Sequence, residues 1–191
     1  MEFKGSKTEK NLLAAFAGES QARNRYTFFA SEAKKAGYEQ IAAIFLDTAD
    51  NEKEHAKMFF NLLKGGEATI TAGYPAGIIG DLAANLKAAA EGEKFEWTTL
   101  YVNFAEIAKQ EGFLDACQAF TQIAKAEKYH EARYQALLKN VQEGKVFKKD
   151  SPAKWHCRNC GYVLDGKNPP EICPACKHPM AHFEPLADNY L

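Results

Sequence analysis

Two segments of this chain, Glu52-x-x-His55 and Glu127-x-x-His130, each set a carboxylate and an imidazole three residues apart. On an α-helix that spacing puts both side chains on one face, so each segment can grip a metal ion from a single helix. One such pair is weak evidence, because glutamate is common on solvated helix faces. Two at a constant offset constrain the fold far more. His55 and His130 differ by 75 positions, as do Glu52 and Glu127, and Tyr26 and Tyr101. Ala33-Lys34-Lys35-Ala36-Gly37-Tyr38 resembles Ala108-Lys109-Gln110-Glu111-Gly112-Phe113 at the same offset. The chain reads as an internal duplication, each copy a helical hairpin.

Residues 6–143 accordingly read as four long helices. Ser6-x-x-Glu9 has the capping-box pattern, and Leu12, Leu13, Phe16 and Ala17 follow at helical spacing to a stop at Gly37. The second helix spans about Tyr38 to Lys64 and halts at Gly65-Gly66. The third runs from about Asp81 to Glu111 and breaks at Gly112. The fourth ends near Gly144. Residues 67–78, with Pro75, read as a connection. Short, long and short links make two hairpins joined by one long crossover, the ferritin-like arrangement; an up-down bundle would suit a shorter middle link. Phe16, Phe28, Phe29 and Phe45 are the expected aromatic core.

The duplication is broken at one place. Glu19 and Glu93 differ by 74, so the third helix holds one extra residue between Glu93 and Tyr101. A helix absorbs such a residue as a π-bulge, and these favour functional sites. A bulge near Glu96 is expected.

Glu19 and Glu93 complete a known pattern: one glutamate from each of two helices and Glu-x-x-His from each of the others bind two metal ions. Glutamates buried in an aromatic bundle without metal would cost several kcal/mol each, to an order of magnitude; two cations turn that cost into affinity. Oxygen ligands with a few imidazoles suit iron or manganese, and iron suits redox work. Glu96 is an additional carboxylate, forming Glu93-x-x-Glu96. The candidate ligands are then Glu19, Glu52, His55, Glu93, Glu96, Glu127 and His130. A ferrous ion attracts a fifth carboxylate less than a ferric one does, so Glu96 and neutral His55 are expected to alternate as ligands of one iron. Displaced Glu96 is the candidate proton carrier, which makes Glu96 and His55 the candidate catalytic residues. Tyr26 and Tyr101 can hydrogen-bond ligand carboxylates, or serve as ordinary core residues. Gly18 and Gly92, each before a ligand glutamate, point to a need for space or to shared ancestry alone.

Four of the five cysteines fall in the last 35 residues, as Cys157-x-x-Cys160 and Cys173-x-x-Cys176. Two such knuckles make a tetrahedral four-thiolate metal site. Spacing alone favours zinc, the commoner use of such ligands, which would only stabilise; iron would carry an electron. Cys-Gly-Tyr after the first knuckle, Cys-Pro-x-Cys in the second, and the aromatics Trp155, Tyr162 and Phe183 shift the balance towards iron. About 45 residues bury too little core to fold without the metal. His156, His178 and His182 read as surface residues, Lys145–Lys154 as a polar linker, and Cys117 as a small buried helix residue with no role. Residues 1–146 and 147–191 are the expected domains. A formal net charge of −1 attracts neither nucleic acid nor an anionic membrane. No apolar run approaches the roughly 18 residues of a spanning helix, and the polar N-terminus lacks a signal core. A cytoplasmic protein is expected.

Taken together, Glu19, Glu52-x-x-His55, Glu93-x-x-Glu96, Glu127-x-x-His130 and the Cys157/Cys160/Cys173/Cys176 site resemble rubrerythrin over essentially the whole chain. Ala17-Gly18-Glu19-Ser20-Gln21-Ala22-Arg23-Asn24-Arg25-Tyr26 and Glu54-His55-Ala56-Lys57 look like that family's motifs. The resemblance implies a di-iron peroxidase that reduces hydrogen peroxide to water in oxidative-stress defence, with a third iron in a rubredoxin-like domain. It also implies a homodimer or a larger assembly of dimers, and it agrees with the glutamate–histidine exchange. Weaker oxidase or ferroxidase activity is compatible with the same bundle. An external electron donor, a reductase or a rubredoxin, is required, because the chain has no Gly-rich dinucleotide fingerprint. One departure is Lys177, where free-standing rubredoxins usually carry Gly.

Overall fold

A computed structural model describes residues 2–189. Helix α1 (Lys7–Lys35) starts at Ser6, whose hydroxyl accepts the Glu9 N–H at 3.0 Å. The Glu9 carboxylate does not close the expected box on Ser6; it accepts the N–H of Gly5 at 2.6 Å instead. A second anchor comes from the far hairpin. Glu111 accepts the N–H groups of Lys7 and Thr8 at 3.1 and 2.8 Å, and the Thr8 hydroxyl at 2.6 Å. A carboxylate at a helix N-terminus answers both the open N–H groups and the positive end of the dipole.

Helix α2 (Glu39–Leu62) follows a tight turn at Gly37. Gly112 makes the matching turn in the second hairpin, and both glycines sit at positive φ, +83° and +86°. Residues 64–80 form the crossover without helix or strand. The third helix is not continuous. It comprises α3 (Leu82–Phe95), a five-residue π-helix at Glu96–Leu100, and α4 (Tyr101–Glu111). The extra residue in the repeat is therefore taken up by i→i+5 bonding at the place where the count predicts it. Helix α5 (Leu114–Gln142) closes the bundle. α1 packs chiefly on α2, and α3 and α4 on α5, which makes two hairpins joined by one long crossover.

The core divides into two clusters. One holds Tyr26, Phe29, Phe45, Leu86 and Tyr134, the other Leu12, Phe59, Tyr101 and Phe120. Phe29 and Phe45 are buried as expected, but Phe16 is only half-buried and Phe28 is 50% exposed. Phe59, Phe120 and the three tyrosines supply much of the remaining aromatic mass. Phe28 directly precedes Phe29 in a helix, so the two point about 100° apart and only one can face the core.

Strands β1 (Ala153–Cys157), β2 (Val163–Gly166) and β3 (Phe183–Pro185) form an antiparallel sheet in the order β2-β1-β3. Trp155 and Phe183 are buried, and the Trp155 indole donates to the Gly166 carbonyl at 2.9 Å. Residues 145–154 are not merely a polar linker. Val146 is buried, Phe147 stacks on Tyr38 with ring centroids 5.5 Å apart, and β1 begins at Ala153. This small unit also touches α2 through β3 and the 3-10 turn Met180–His182.

Candidate metal centres

The duplicated hairpins place their carboxylates and imidazoles in one buried cluster between the two halves of the core. Glu19, Glu52, Glu93 and Glu127 are each no more than 1% exposed. His55 Nδ1 lies 2.8 Å from both Glu52 Oε2 and Glu127 Oε1, and 3.9 Å from Glu19 Oε2. His130 Nδ1 lies 2.7 Å from Glu127 Oε2, 3.3 Å from Glu52 Oε1 and 3.7 Å from Glu93 Oε2. Two four-residue groups result, Glu19/Glu52/His55/Glu127 and Glu52/Glu93/Glu127/His130. In each, one ligand atom per residue lies within 4.8 Å of the others, and Glu52 and Glu127 belong to both.

These residues fit a pair of cations. Among the described residues, Glu19 Oε2, Glu52 Oε1, Glu93 Oε2, both Glu127 oxygens and His130 Nδ1 are buried without a hydrogen bond. Several of those atoms approach one another closely yet lack hydrogen-bond geometry, and the ligand atoms of each group gather within 4.8 Å. A buried polar atom left without a partner is costly, and a cation at those points is the partner such a set demands. The protonation tendencies agree. Burial, then repulsion from Glu127, Glu52 and Glu96, holds Glu19 well above the usual carboxylate range. Glu93 is raised by burial and Glu52, and Glu96 by burial and Glu93. Burial pulls the imidazoles down, but the nearby Glu127 and Glu52 carboxylates overcome it and lift His55 to about 10 and His130 to about 12. Against burial, the contacts with His130 and His55 draw Glu127 down to about 2, so in the absence of cations the raised carboxyls and imidazoles favour binding protons.

Tyr26 donates to Glu93 Oε1 at 2.5 Å, and Tyr101 donates to Glu19 Oε1. The two tyrosines are buried and related by the repeat, so each half of the core presents one phenol to a carboxylate of the other hairpin.

Glu96 stands apart. It opens the π-helix, is half-buried, and belongs to neither four-residue group. It lines a cleft of about 260 Å³ together with Arg25, Tyr74, Gly18, Gly92 and Tyr101. Both helix glycines border this cleft. A Cβ on Gly18 would touch Tyr74 of the crossover at 3.7 Å, and one on Gly92 would crowd the Arg25 guanidinium at 3.2 Å. Tyr74 is held by a 3.0 Å bond to the Ala14 carbonyl.

Three contributors were not legible as site residues. Asn51 Oδ1 lies 3.1 Å from His130 Nε2 and can accept its N–H. Arg25 was part of a recognisable stretch but carried no ligand signal. Trp97 pins the π-helix to α5 by donating to Glu131 at 2.6 Å, with Lys128 over its ring at 5.4 Å.

In the small unit, Cys157 and Cys173 are buried, Cys176 half-buried and Cys160 exposed, with ligand sulfurs within 4.8 Å of one another. The Cys157–Cys176 and Cys160–Cys173 sulfurs are 3.8 and 3.7 Å apart, the spacing of a shared metal and not of disulfides. The backbone N–H of His178 heads the causes that bring Cys176 down to about 6. Gly161 and Lys177 follow the two knuckles and both adopt positive φ, +79° and +63°. His156, His178 and His182 are half-buried at the surface of this unit: His156 sits 3.6 Å from Glu184, and the other two pack edge to face. Cys117 is half-buried on α5.

Both parts of the chain match models of one family: "Rubrerythrin" over residues 10–138 and "Rubrerythrin, rubredoxin-like domain" over residues 155–184. The chain is 62% identical to a rubrerythrin of Porphyromonas gingivalis, covering 98% of this chain and 94% of that one. Fully reduced, all-ferrous nigerythrin superposes with a TM-score of 0.63 at 33% identity, covering 96% of this chain and 91% of that one. A Desulfovibrio desulfuricans bacterioferritin shares the fold at 19% identity, with a TM-score of 0.60 over 73% of this chain and 82% of that one. The carboxylate–imidazole cluster and the four-cysteine knuckles indicate iron at both sites. With its duplicated ferritin-like bundle and rubredoxin-like unit, the chain belongs to the rubrerythrin family.

Proposed function

We propose that this protein is a peroxidase that reduces hydrogen peroxide to water with electrons relayed from its four-cysteine iron. The observation that carries the reading is one chain holding both a two-cation carboxylate cluster and a four-thiolate site. A storage protein has no use for the second. Glu19, Glu52, His55, Glu93, Glu127 and His130, with Glu96 in alternation with His55, would hold two irons, and Cys157, Cys160, Cys173 and Cys176 a third. Residues 1–146 and 147–191 are the corresponding domains. When bound, the iron pair supplies the two electrons that cleave the O–O bond, and two protons complete two waters.

The chain's own residues do the remainder. The cleft beside Glu96 admits a small polar oxidant, and Tyr74 narrows its mouth. Glu96, raised by burial and half open to the cleft, carries protons from solvent to the reacting oxygens. Tyr26 and Tyr101 hold Glu93 and Glu19 in orientation. The protein works in the cytoplasm, as a homodimer or larger assembly, and takes electrons from an external reductase or rubredoxin. No helix among the described residues is long and apolar enough to cross a membrane. Replacing Glu96→Gln should leave the iron content unchanged and slow peroxide turnover by about 10²-fold or more, the scale of a lost general acid. Unchanged turnover would remove Glu96 from the mechanism.

A further inference from the structure

The two halves of the bundle are related by the repeat, but the anchoring of their imidazoles is not. His130 presents Nδ1 to Glu127, Glu52 and Glu93 while its Nε2 meets Asn51 Oδ1 at 3.1 Å. With Nδ1 turned to a metal, Nε2 carries the proton and Asn51 Oδ1 accepts it, a contact that would hold both the tautomer and the ring plane, as is usual for a metal-ligating histidine. His55 presents Nδ1 to Glu52 and Glu127 in the same manner. At the offset of 75 that relates Glu52 to Glu127, Asn51 corresponds to Ala126. Asn51 on α2 reaches across to His130 on α5, so the related contact would run from position 126 on α5 to His55 on α2. Alanine there offers no acceptor. The same half of the pair differs again on the opposite side, where the π-helix supplies Glu96 and α1 supplies no equivalent.

We infer that Asn51 and Ala126 decide which iron changes its ligands: the Asn51 bond locks His130 as a permanent ligand, and the missing acceptor at Ala126 leaves His55 free to give way to Glu96. Asn51 is thus a positioning residue, acting through His130 and touching neither metal nor substrate. The inference deepens the proposed function and rests on the Glu96–His55 alternation. It gives a reason, on this chain's own residues, for exchange at the Glu19/His55 iron and not at the Glu93/His130 iron. A duplicated scaffold starts with two equivalent halves; one side-chain amide and one inserted residue are sufficient to make one half rigid and the other adaptable.

The test is crystallographic comparison of iron-loaded protein in its oxidised and chemically reduced states, for the native chain and three variants. In the native protein His130 is a ligand in both states, and Glu96 and His55 alternate. Ala126→Asn restores the acceptor and should hold His55 as a ligand in both states, abolishing the exchange. Asn51→Ala should free the His130 ring, spread its position, and weaken binding of one iron by about 10- to 100-fold, the usual effect of losing such a contact. Asn51→Asp keeps an acceptor and should restore native behaviour, which a purely structural role for the amide would not require. His130 equally ordered and equally tight for iron in Asn51→Ala would overturn the inference, as would undiminished exchange in Ala126→Asn. Identical ligands in both states of the native protein would instead remove the alternation itself, whatever the variants show.

Discussion

Tyr101→Phe removes a single oxygen from a fully buried ring and leaves shape and volume almost unchanged. The Tyr101 hydroxyl donates to Glu19 Oε1, while Glu19 Oε2 is buried with no hydrogen bond of its own. The substitution therefore strips a buried carboxylate of its phenol donor. Burial keeps Glu19 above the usual carboxylate range, so in metal-free protein the bond joins neutral groups, and leaving a buried acceptor without its donor costs about 1–3 kcal/mol. For a chain of this size 1 kcal/mol moves Tm by about 2–4 °C, so metal-free protein should melt roughly 2–12 °C lower. Tyr134 provides the control. Its ring is equally buried, yet its hydroxyl has only the Thr48 hydroxyl beside it and makes no bond of hydrogen-bond geometry among the described residues. Tyr134→Phe should therefore be neutral or slightly stabilising. Thermal unfolding by circular dichroism after chelation compares the two, and iron titration should show Tyr101→Phe binding about 10- to 100-fold more weakly. Equal melting temperatures for the two variants would refute the reasoning, since burial of the ring would then matter and its hydroxyl would not.

The metal-free bundle should lose stability as pH rises. Against the pull of burial, Glu127 and Glu52 lift His55 and His130 from 6.5 to about 10 and about 12 in the folded chain; their stabilisation is complete below pH 6.5 and is lost as pH rises towards those values. Chelated protein should melt lower at pH 9 than at pH 7, and a Tm that climbs over that range would contradict the assignment. Glu111 behaves in the opposite sense. The Thr8 hydroxyl bond holds its carboxyl below the usual range, so its support of the α1 N-terminus is lost as pH falls, and Glu111→Gln should cost about 0.3–1 kcal/mol at neutral pH, read as a small drop in Tm that vanishes in acid. Lys177 sits at φ +63°, where a Cβ costs about 1–2 kcal/mol. Lys177→Gly should make the cysteine site slower to lose metal to a chelator, and a faster loss would mean that the lysine side chain stabilises that knuckle.

Much of the fold was legible because the duplication could be counted. An offset of 75 for His55/His130 and 74 for Glu19/Glu93 locates the π-helix in the sequence, since a helix can hide an extra residue only by widening a turn. The Gly37 and Gly112 turns and the two knuckles were equally readable. What could not be read shared one cause, contact between segments distant in sequence. Glu111 capping α1, Asn51 anchoring His130 and Tyr74 over Gly18 join elements that no spacing rule connects. The core assignment of Phe28 failed because aromatic composition says nothing about which of two adjacent residues faces inward. The polar character of residues 145–154 likewise hid Val146 and Phe147, which face the bundle.

Electron transfer from the four-cysteine iron to a peroxide-reducing iron pair, as proposed, is tested by metal analysis and the visible spectrum of aerobically purified protein, followed by reductant and then hydrogen peroxide. The expected result is about three irons per chain and red ferric–thiolate absorption that bleaches on reduction and returns on addition of peroxide. A colourless protein with zinc at the cysteines would contradict it and leave the bundle to act without an electron feed, as a ferroxidase would.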